Sequence, residues 1–168
     1  LPFGQLGRIE ILPSIALHLV DLSAASFVFF WLISLLQKKR FPNPPLRWEF
    51  LSFLAVAFFS LLLGATRVSW QEALIGFLYF LRLAIYILFY FGVWDLVRQE
   101  KALKTKLFDS LIIIGAFIAG FGLFQYFVFP DLRSLFLYGW DEHYFRLAGT
   151  FLDPGFIGII LVFFIALI

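Results

Sequence analysis

The chain has 168 residues, of which 62% are hydrophobic, 21% aromatic and 14% charged. Because a soluble domain is about 25% charged, this composition excludes a soluble globular protein and predicts a membrane protein. Thirteen Lys and Arg against eleven Asp and Glu leave a net charge of +2, and the absence of Cys excludes disulfides, zinc–thiolate sites and cysteine nucleophiles.

Hydropathy divides the chain into apolar segments that are suited to membrane helices. We predict four complete spans and an incomplete fifth, at about residues 13–37, 49–66, 73–97, 107–129 and 154–168. Pro13 and Ser14 form a start signal for the first span, and Lys38-Lys39-Arg40 ends it. The predicted fold is an all-α polytopic transmembrane bundle, a single domain over residues 1–168 without repeats or linkers.

The two ends of the chain predict that it is part of a longer protein. The sequence contains no Met, and its terminal apolar run, residues 156–168, is shorter than the ~20 residues that cross a bilayer. Polar residues among the first thirteen interrupt the continuous apolar core that a cleavable signal peptide needs. We therefore expect no cleavable signal here.

The distribution of basic residues predicts the orientation in the membrane. By the positive-inside rule, the loops after the first and third spans are cytoplasmic. The start of the chain and residues 67–72 and 130–153 are then on the outer side. Residues 130–153 are rich in aromatic side chains and are expected to lie at the membrane interface. The two basic loops hold eight of the thirteen basic residues and every lysine: Lys38, Lys39, Arg40, Arg47, Arg98, Lys101, Lys104 and Lys106.

Three ionisable residues fall within predicted spans: His18 and Asp21 in the first, and Arg82 in the third. A charge at the bilayer centre costs at least ~2.5 kcal/mol, so such residues should face the protein interior. The depths of Asp21 and Arg82, counted along their helices, permit a contact. Two interpretations are open: an ion pair that locks the helices together, or an outward-open cavity that receives a charged group of a substrate. An inward face is also predicted for residues at helical spacing on the third span, Tyr79, Arg82, Tyr86 and Tyr90.

The end of the outer segment has the features of an anion site. Asp153 followed by Pro154 is a helix-start signal, because the carboxylate caps free amides and proline suits the first helical position. The positive end of that helix would lie close to Arg146, Gly149 and Thr150, and exposed amides with a guanidinium suit a phosphate group. The alternative is a glycine turn that leads into a capped helix, with Arg146 as an interfacial residue.

The same segment contains the most specific motif of the chain, Arg146-x-x-Gly149-Thr150-Phe151-x-x-Pro154. Two looser patterns precede it, Gly122-x-x-Gln125 and, after Glu72, Tyr79-x-x-Arg82. Together they resemble the signature of the O-antigen ligase and polymerase-like family of polytopic bacterial membrane proteins, of which this chain would be the N-terminal part. The chain departs from that pattern at Gly155, where an asparagine commonly follows the proline.

The resemblance implies an enzyme of the bacterial cytoplasmic membrane. Such an enzyme transfers a lipid-linked oligosaccharide or polysaccharide from undecaprenyl diphosphate to an acceptor, on the outer face and without a metal or nucleotide cofactor. Arginines hold the diphosphate, which implicates Arg146 first, with Gly149 and Thr150 beside it, and Arg8 second. The family's catalytic histidine lies in a later outer loop, so we expect this chain to be inactive alone. Neither His18 nor His143 matches that histidine, and His143 is expected to be an interfacial side chain.

Two other classes of function compete with this interpretation. A transporter, for example a flippase of lipid-linked sugars, would use Arg82, Asp21 and His18 along a midplane pathway. A membrane scaffold without catalytic activity is the third alternative. Because the sequence has no metal-ligand spacing and no glycine-rich nucleotide loop, and because its basic residues follow the topology, no metal site and no nucleic-acid partner are expected.

Overall fold

The computed structural model describes residues 4–12, 15–39, 42–138 and 141–167. Within these ranges the chain forms five α-helices, joined by short strands and 3₁₀ turns. The helices are α1 (Leu19–Lys38), α2 (Arg47–Ala65), α3 (Trp70–Gln99), α4 (Lys101–Val128) and α5 (Pro154–Leu167). The strands are β1 (Arg8–Leu12) and β2 (Ile15–His18), and the 3₁₀ turns are Gly4–Gly7, Arg133–Tyr138 and Gly149–Phe151.

The predicted all-α polytopic fold is confirmed. About 80% of the chain is helical, and α1, α2, α3 and α4 are each long and apolar enough to cross a membrane. The protein is therefore a multi-pass membrane protein. Exposed apolar side chains cover these helices, and α2 has no buried residue at all, as suits a hydrocarbon environment.

The start of α1 differs from the predicted span. Residues 15–18 pair with β1 in a two-stranded sheet, so α1 begins at Leu19 and not near residue 13. A four-residue apolar run has too little periodicity to distinguish a strand from a helical turn. Pro13 and Ser14, the predicted start signal, lie outside the described residues, as does Arg40 of the predicted stop signal.

The start of α3 lies earlier than predicted because a capping box extends the helix to Trp70. The Ser69 amide donates to the Glu72 carboxylate at 2.9 Å, and the Glu72 amide donates to the Ser69 hydroxyl at 3.4 Å. α4 likewise starts earlier than its predicted span, because the lysine-containing turn from Lys101 is helical.

The chain divides into two compact units, which we call the α1–α3 unit (residues 9–101) and the α4–α5 unit (residues 1–8 and 102–168). In the α1–α3 unit, α1 and α2 both pack against α3. Their common core contains Trp31, Leu35, Ile87 and Phe91. Close packing of α1 on α3 depends on Gly92, where a Cβ atom would lie 2.6 Å from the ring of Phe27.

The α4–α5 unit also depends on glycine at its helix contact. A Cβ atom at Gly115 would lie 2.5 Å from the Phe164 ring, so α5 packs directly on the backbone of α4. The most buried apolar residues of this unit are Ala148, Ile157 and Ile118 at 0%, 1% and 3% exposure. Ala148 lies in the connection between the helices, which shows that this connection is part of the core.

Candidate functional site

The polar cluster of the α1–α3 unit forms around the carboxylate of Asp21, at the start of α1. Oδ2 accepts from the His18 amide at 3.0 Å and also forms an ion pair with Arg82. Oδ1 accepts from the Tyr86 hydroxyl at 2.6 Å. The structure thus brings together Asp21 and Arg82, which are 61 residues apart in sequence.

Arg82 has several partners at the same helix start. Its Nη2 donates to the Ala16 carbonyl at 3.0 Å and lies 3.3 Å from His18 Nδ1, in addition to the contact with Asp21. His18 is the residue before α1 and Asp21 is its third residue. Both residues therefore lie at the N-terminus of α1. The predicted span, which began at about residue 13, placed them further inside the helix, but residues 15–18 form a strand. This arrangement favours the interpretation as a structural ion pair.

An apolar cavity of about 410 Å³ adjoins this cluster. Asp21, Arg82 and Tyr86 contribute its polar wall, and Tyr79 lines it as well. Tyr90, the fourth residue of the predicted inward face of α3, instead donates to the Pro45 carbonyl at 3.2 Å. Three residues of that face therefore line the cavity, and the fourth contacts the loop before α2.

The second polar centre lies in the α4–α5 unit, on the turn that leads into α5. Gln125 of α4 is 6% exposed, and its Oε1 accepts from the amides of Ala148 and Gly149 at 3.0 and 3.1 Å. Its Nε2 donates to the Phe129 carbonyl at 2.9 Å and lies 3.5 Å from the Arg146 carbonyl. One buried side chain thus satisfies several backbone groups of the turn.

Glycines allow this turn to approach its neighbours. Gly149 has a φ of +55°, which a residue with a Cβ rarely adopts, and its backbone lies against Gly122 of α4. A Cβ atom at Gly122 would lie 2.8 Å from Leu147. On the other side, Gly4 packs so closely that a Cβ atom there would lie 2.6 Å from the Thr150 carbonyl oxygen. The first described turn of the chain is therefore part of this site.

The start of α5 agrees with the capping signal in the sequence. α5 begins at Pro154, and the Asp153 Oδ1 accepts from the Phe156 amide at 2.9 Å. Since the protein's own carboxylate occupies this helix end, and since the Gly149 amide is bound to Gln125, these groups are already used within the chain. An anion near this turn would depend on the guanidinium of Arg146.

The predicted site residues near the turn have different environments. The Arg146 side chain is exposed, and no hydrogen bond or ion pair of its guanidinium is seen among the described residues. Arg8 is also exposed and directly follows the Gly4–Gly7 turn, which contacts the Gly149–Phe151 turn. Thr150 is only 2% exposed, so its hydroxyl does not face the same surface as Arg146.

His143 differs from the expected interfacial side chain, because it is 7% exposed. Its backbone carbonyl accepts from the Leu132 amide at 2.9 Å, next to an isolated antiparallel bridge between Asp131 and Tyr144. Within the described part of the chain, His143 Nδ1 and Thr150 Oγ1 are buried without hydrogen-bond partners. No sequence pattern indicated this burial. The spacing Gly122-x-x-Gln125 is only part of the family resemblance and does not predict the Gln125 contacts with the turn.

Arg133, in the same connection between α4 and α5, differs from Arg146. Arg133 Nε and Nη2 donate to the two carboxylate oxygens of Asp131 at 2.9 and 2.7 Å, and its guanidinium lies 4.7 Å from the centre of the Tyr144 ring. Hydrogen bonds from Arg133 lower the pKa of Asp131 to about 2. The charge of Arg133 is therefore neutralised at neutral pH by its own neighbour.

Comparison with known proteins gave no matching family model, no matching curated protein and no matching solved structure.

Proposed function

We propose that this chain is the carrier-binding part of a membrane glycosyltransferase of the O-antigen ligase or polymerase type. The enzyme would move a glycan from undecaprenyl diphosphate to an acceptor on the outer face of the bacterial cytoplasmic membrane. The observation that carries the proposal is the Arg146 side chain, which is exposed on a turn whose backbone is held by a buried glutamine. The sequence motif around Arg146 supports the same function.

The chemistry of a diphosphate fits such an arginine. A guanidinium is always charged and donates two parallel hydrogen bonds to phosphate oxygens. Because the backbone of the turn is already ordered before binding, less conformational entropy is lost when Arg146 binds a ligand. Within this proposal Gly149 and Thr150 act through the shape of the turn, because the Gly149 amide is bound to Gln125 and Thr150 is buried.

The proposed reaction is a direct displacement at the anomeric carbon of the carrier-linked sugar. An acceptor hydroxyl oxygen attacks this carbon, the bond to the diphosphate oxygen breaks, and negative charge develops on the departing diphosphate. Arg146 would stabilise that charge, with Arg8 as a second candidate from the adjoining turn. The base that removes the acceptor proton would belong to a later outer loop of the full-length enzyme.

The test is diphosphate binding by the full chain in lipid nanodiscs, with farnesyl diphosphate as the probe and farnesol as the control for apolar binding. We expect Arg146→Ala to weaken binding about ten- to hundredfold, the loss of one or two charge-assisted hydrogen bonds. Insertion of the variant into the membrane should be unchanged. The dissociation constants are measured by ³¹P NMR titration.

Arg133→Ala is the matched control, because it removes the same charge from the same segment at a position already paired with Asp131. It should bind the probe nearly as well as the wild type. Unchanged binding by Arg146→Ala, or an equal loss in Arg133→Ala, would contradict the proposed role of Arg146.

A lipid-linked-sugar transporter is the second candidate, and the cavity beside Arg82 is the observation in its favour. It is the weaker candidate, because Asp21, His18 and the Ala16 carbonyl already contact Arg82. A transporter would require a substrate group to displace one of them. Flipping of a fluorescent lipid-linked sugar in proteoliposomes, lost on replacing both Arg82 and Asp21 with Leu, would favour transport over transfer.

A further inference from the structure

A buried side chain of α4, that of Gln125, contacts the backbone next to Arg146. Gln125 lies on α4, 6% exposed, and binds backbone groups on both sides of Leu147. Its Oε1 accepts from Ala148 and Gly149, while its Nε2 lies 3.5 Å from the Arg146 carbonyl. The peptide groups that follow Arg146 are therefore attached to a membrane helix through one side chain.

We infer that Gln125 is a positioning residue, which holds the backbone from Arg146 to Gly149 so that the Arg146 guanidinium has a restricted orientation. The inference rests on the proposed function, because it assumes that Arg146 binds a diphosphate. A side chain on a mobile turn would lose more conformational entropy on binding, and its affinity would be lower. Gln125 acts through Arg146 and does not contact the diphosphate.

A carboxamide suits this task in apolar surroundings. It supplies an acceptor for two amides and a donor for carbonyls, and it carries no charge whose burial would be costly. Gly122 lies three residues earlier on the same helix face, where the missing side chain leaves room for Leu147. The two residues of the Gly122-x-x-Gln125 pattern thus have complementary roles: one allows the turn to approach, and the other holds it.

The experiment compares Gln125→Leu with the wild-type full chain in nanodiscs. Leucine keeps the approximate volume but leaves the Ala148 and Gly149 amides without their acceptor. We expect faster hydrogen exchange at these two amides and a broader ¹⁵Nε–H resonance of Arg146 in arginine-labelled protein. Binding of farnesyl diphosphate should weaken about tenfold, which is about 1.4 kcal/mol.

Further variants separate positioning from general stability. Gln125→Glu retains an acceptor oxygen for the Ala148 and Gly149 amides and should restore slow exchange at them, while its buried carboxyl group lowers the stability. Gln99→Leu is the control variant. The Gln99 Nε2 also donates to a backbone carbonyl, that of Asp95 at 3.2 Å, but it lies in the α1–α3 unit.

In an Arg146→Ala background, Gln125→Leu should cause no additional loss of binding. Gln125→Asn, which withdraws the amide by one methylene group, replaces the leucine variant if that variant does not fold.

The outcomes distinguish the proposed diphosphate-binding function from the positioning role of Gln125. If the wild type binds the probe through Arg146 and Gln125→Leu binds equally well, the positioning role is wrong and the proposed function is unaffected. An additional loss in the Arg146→Ala background would also overturn the positioning role. If the wild type does not bind the diphosphate in preference to farnesol, the proposed function is wrong, and the inference about Gln125 is wrong with it.

Discussion

Arg82 in the α1–α3 unit and Arg146 in the α4–α5 unit have opposite environments among the described residues. In the α1–α3 unit, Arg82 and Asp21 neutralise each other, and Tyr86 satisfies the remaining carboxylate oxygen. In the α4–α5 unit, a neutral side chain, Gln125, satisfies the backbone, and Arg146 is left exposed. An arginine in an apolar sequence is therefore not by itself a sign of a binding site. The useful distinction is whether the protein already supplies a counter-charge.

Breaking the ion pair of the α1–α3 unit should have the largest effect on stability. Asp21→Ala leaves the Arg82 charge without its partner and also removes the acceptor for the His18 amide at the start of α1. We expect a loss of about 2–3 kcal/mol, below the value for a fully buried pair because the Arg82 side chain is 30% exposed. Thermal unfolding in detergent micelles, followed by circular dichroism, measures this loss.

The double variant Asp21→Leu/Arg82→Leu is the control for that experiment. It removes both charges and places apolar side chains against an apolar cavity, so it should be more stable than Asp21→Ala alone. If the double variant is instead less stable than the single variant, the two charges do not act as a pair, and the contrast between the two units disappears.

Altering the turn of the α4–α5 unit should have a smaller effect, because no charge is left without a partner. Gly149→Ala places a Cβ atom 2.6 Å from Ile157 at a residue with a φ of +55°. The strain of this conformation costs about 1–2 kcal/mol. The Tm should fall, and the Arg146 resonance should broaden as in Gln125→Leu.

Gly158→Ala is the matched control in the same unit. A Cβ atom at Gly158 meets nothing within 4 Å, and alanine is favoured over glycine in a helix by about 1 kcal/mol. The control should therefore keep or raise the Tm. Equal destabilisation by both substitutions would mean that the turn has no special demand for glycine.

The smallest effect concerns the exposed ion pair of Asp131 and Arg133. The pKa of Asp131 is lowered to about 2 by Arg133, from an ordinary value of 3.8. Because the folded-state pKa is the lower one, the interaction is fully present above pH ~4 and is lost as the pH falls through about 2. A ¹³C NMR titration of the Asp131 carboxyl should give a midpoint near 2 in the wild type.

Arg133→Ala should return that midpoint towards 3.8 and change the Tm little, since exposed ion pairs contribute little to stability. A wild-type midpoint already at the ordinary value would show that Arg133 is not neutralised. Arg133 and Arg146 would then be equivalent candidates for an anion, and the choice of Arg133→Ala as a control would be wrong.

Sequence patterns predicted the features that depend on local chemistry. The four long apolar helices follow from hydropathy, and α5 starts at Pro154 because Asp153 caps it. The pairing of Asp21 with Arg82 could also be anticipated, since two opposite charges in apolar spans have few other ways to avoid lipid. The strand over residues 15–18 could not be anticipated, because its formation depends on pairing with β1.

By itself, the sequence determined that this is a multi-pass membrane protein and indicated which few polar residues need a partner within it. Only the tertiary structure decided which partner each one has. It gave Arg82 a carboxylate and gave Gln125 the amides of residues 148 and 149. The physical reason is that hydropathy and capping depend on neighbours along the chain, whereas these contacts join residues 61, 23 and 24 positions apart. Helix packing alone sets such distances.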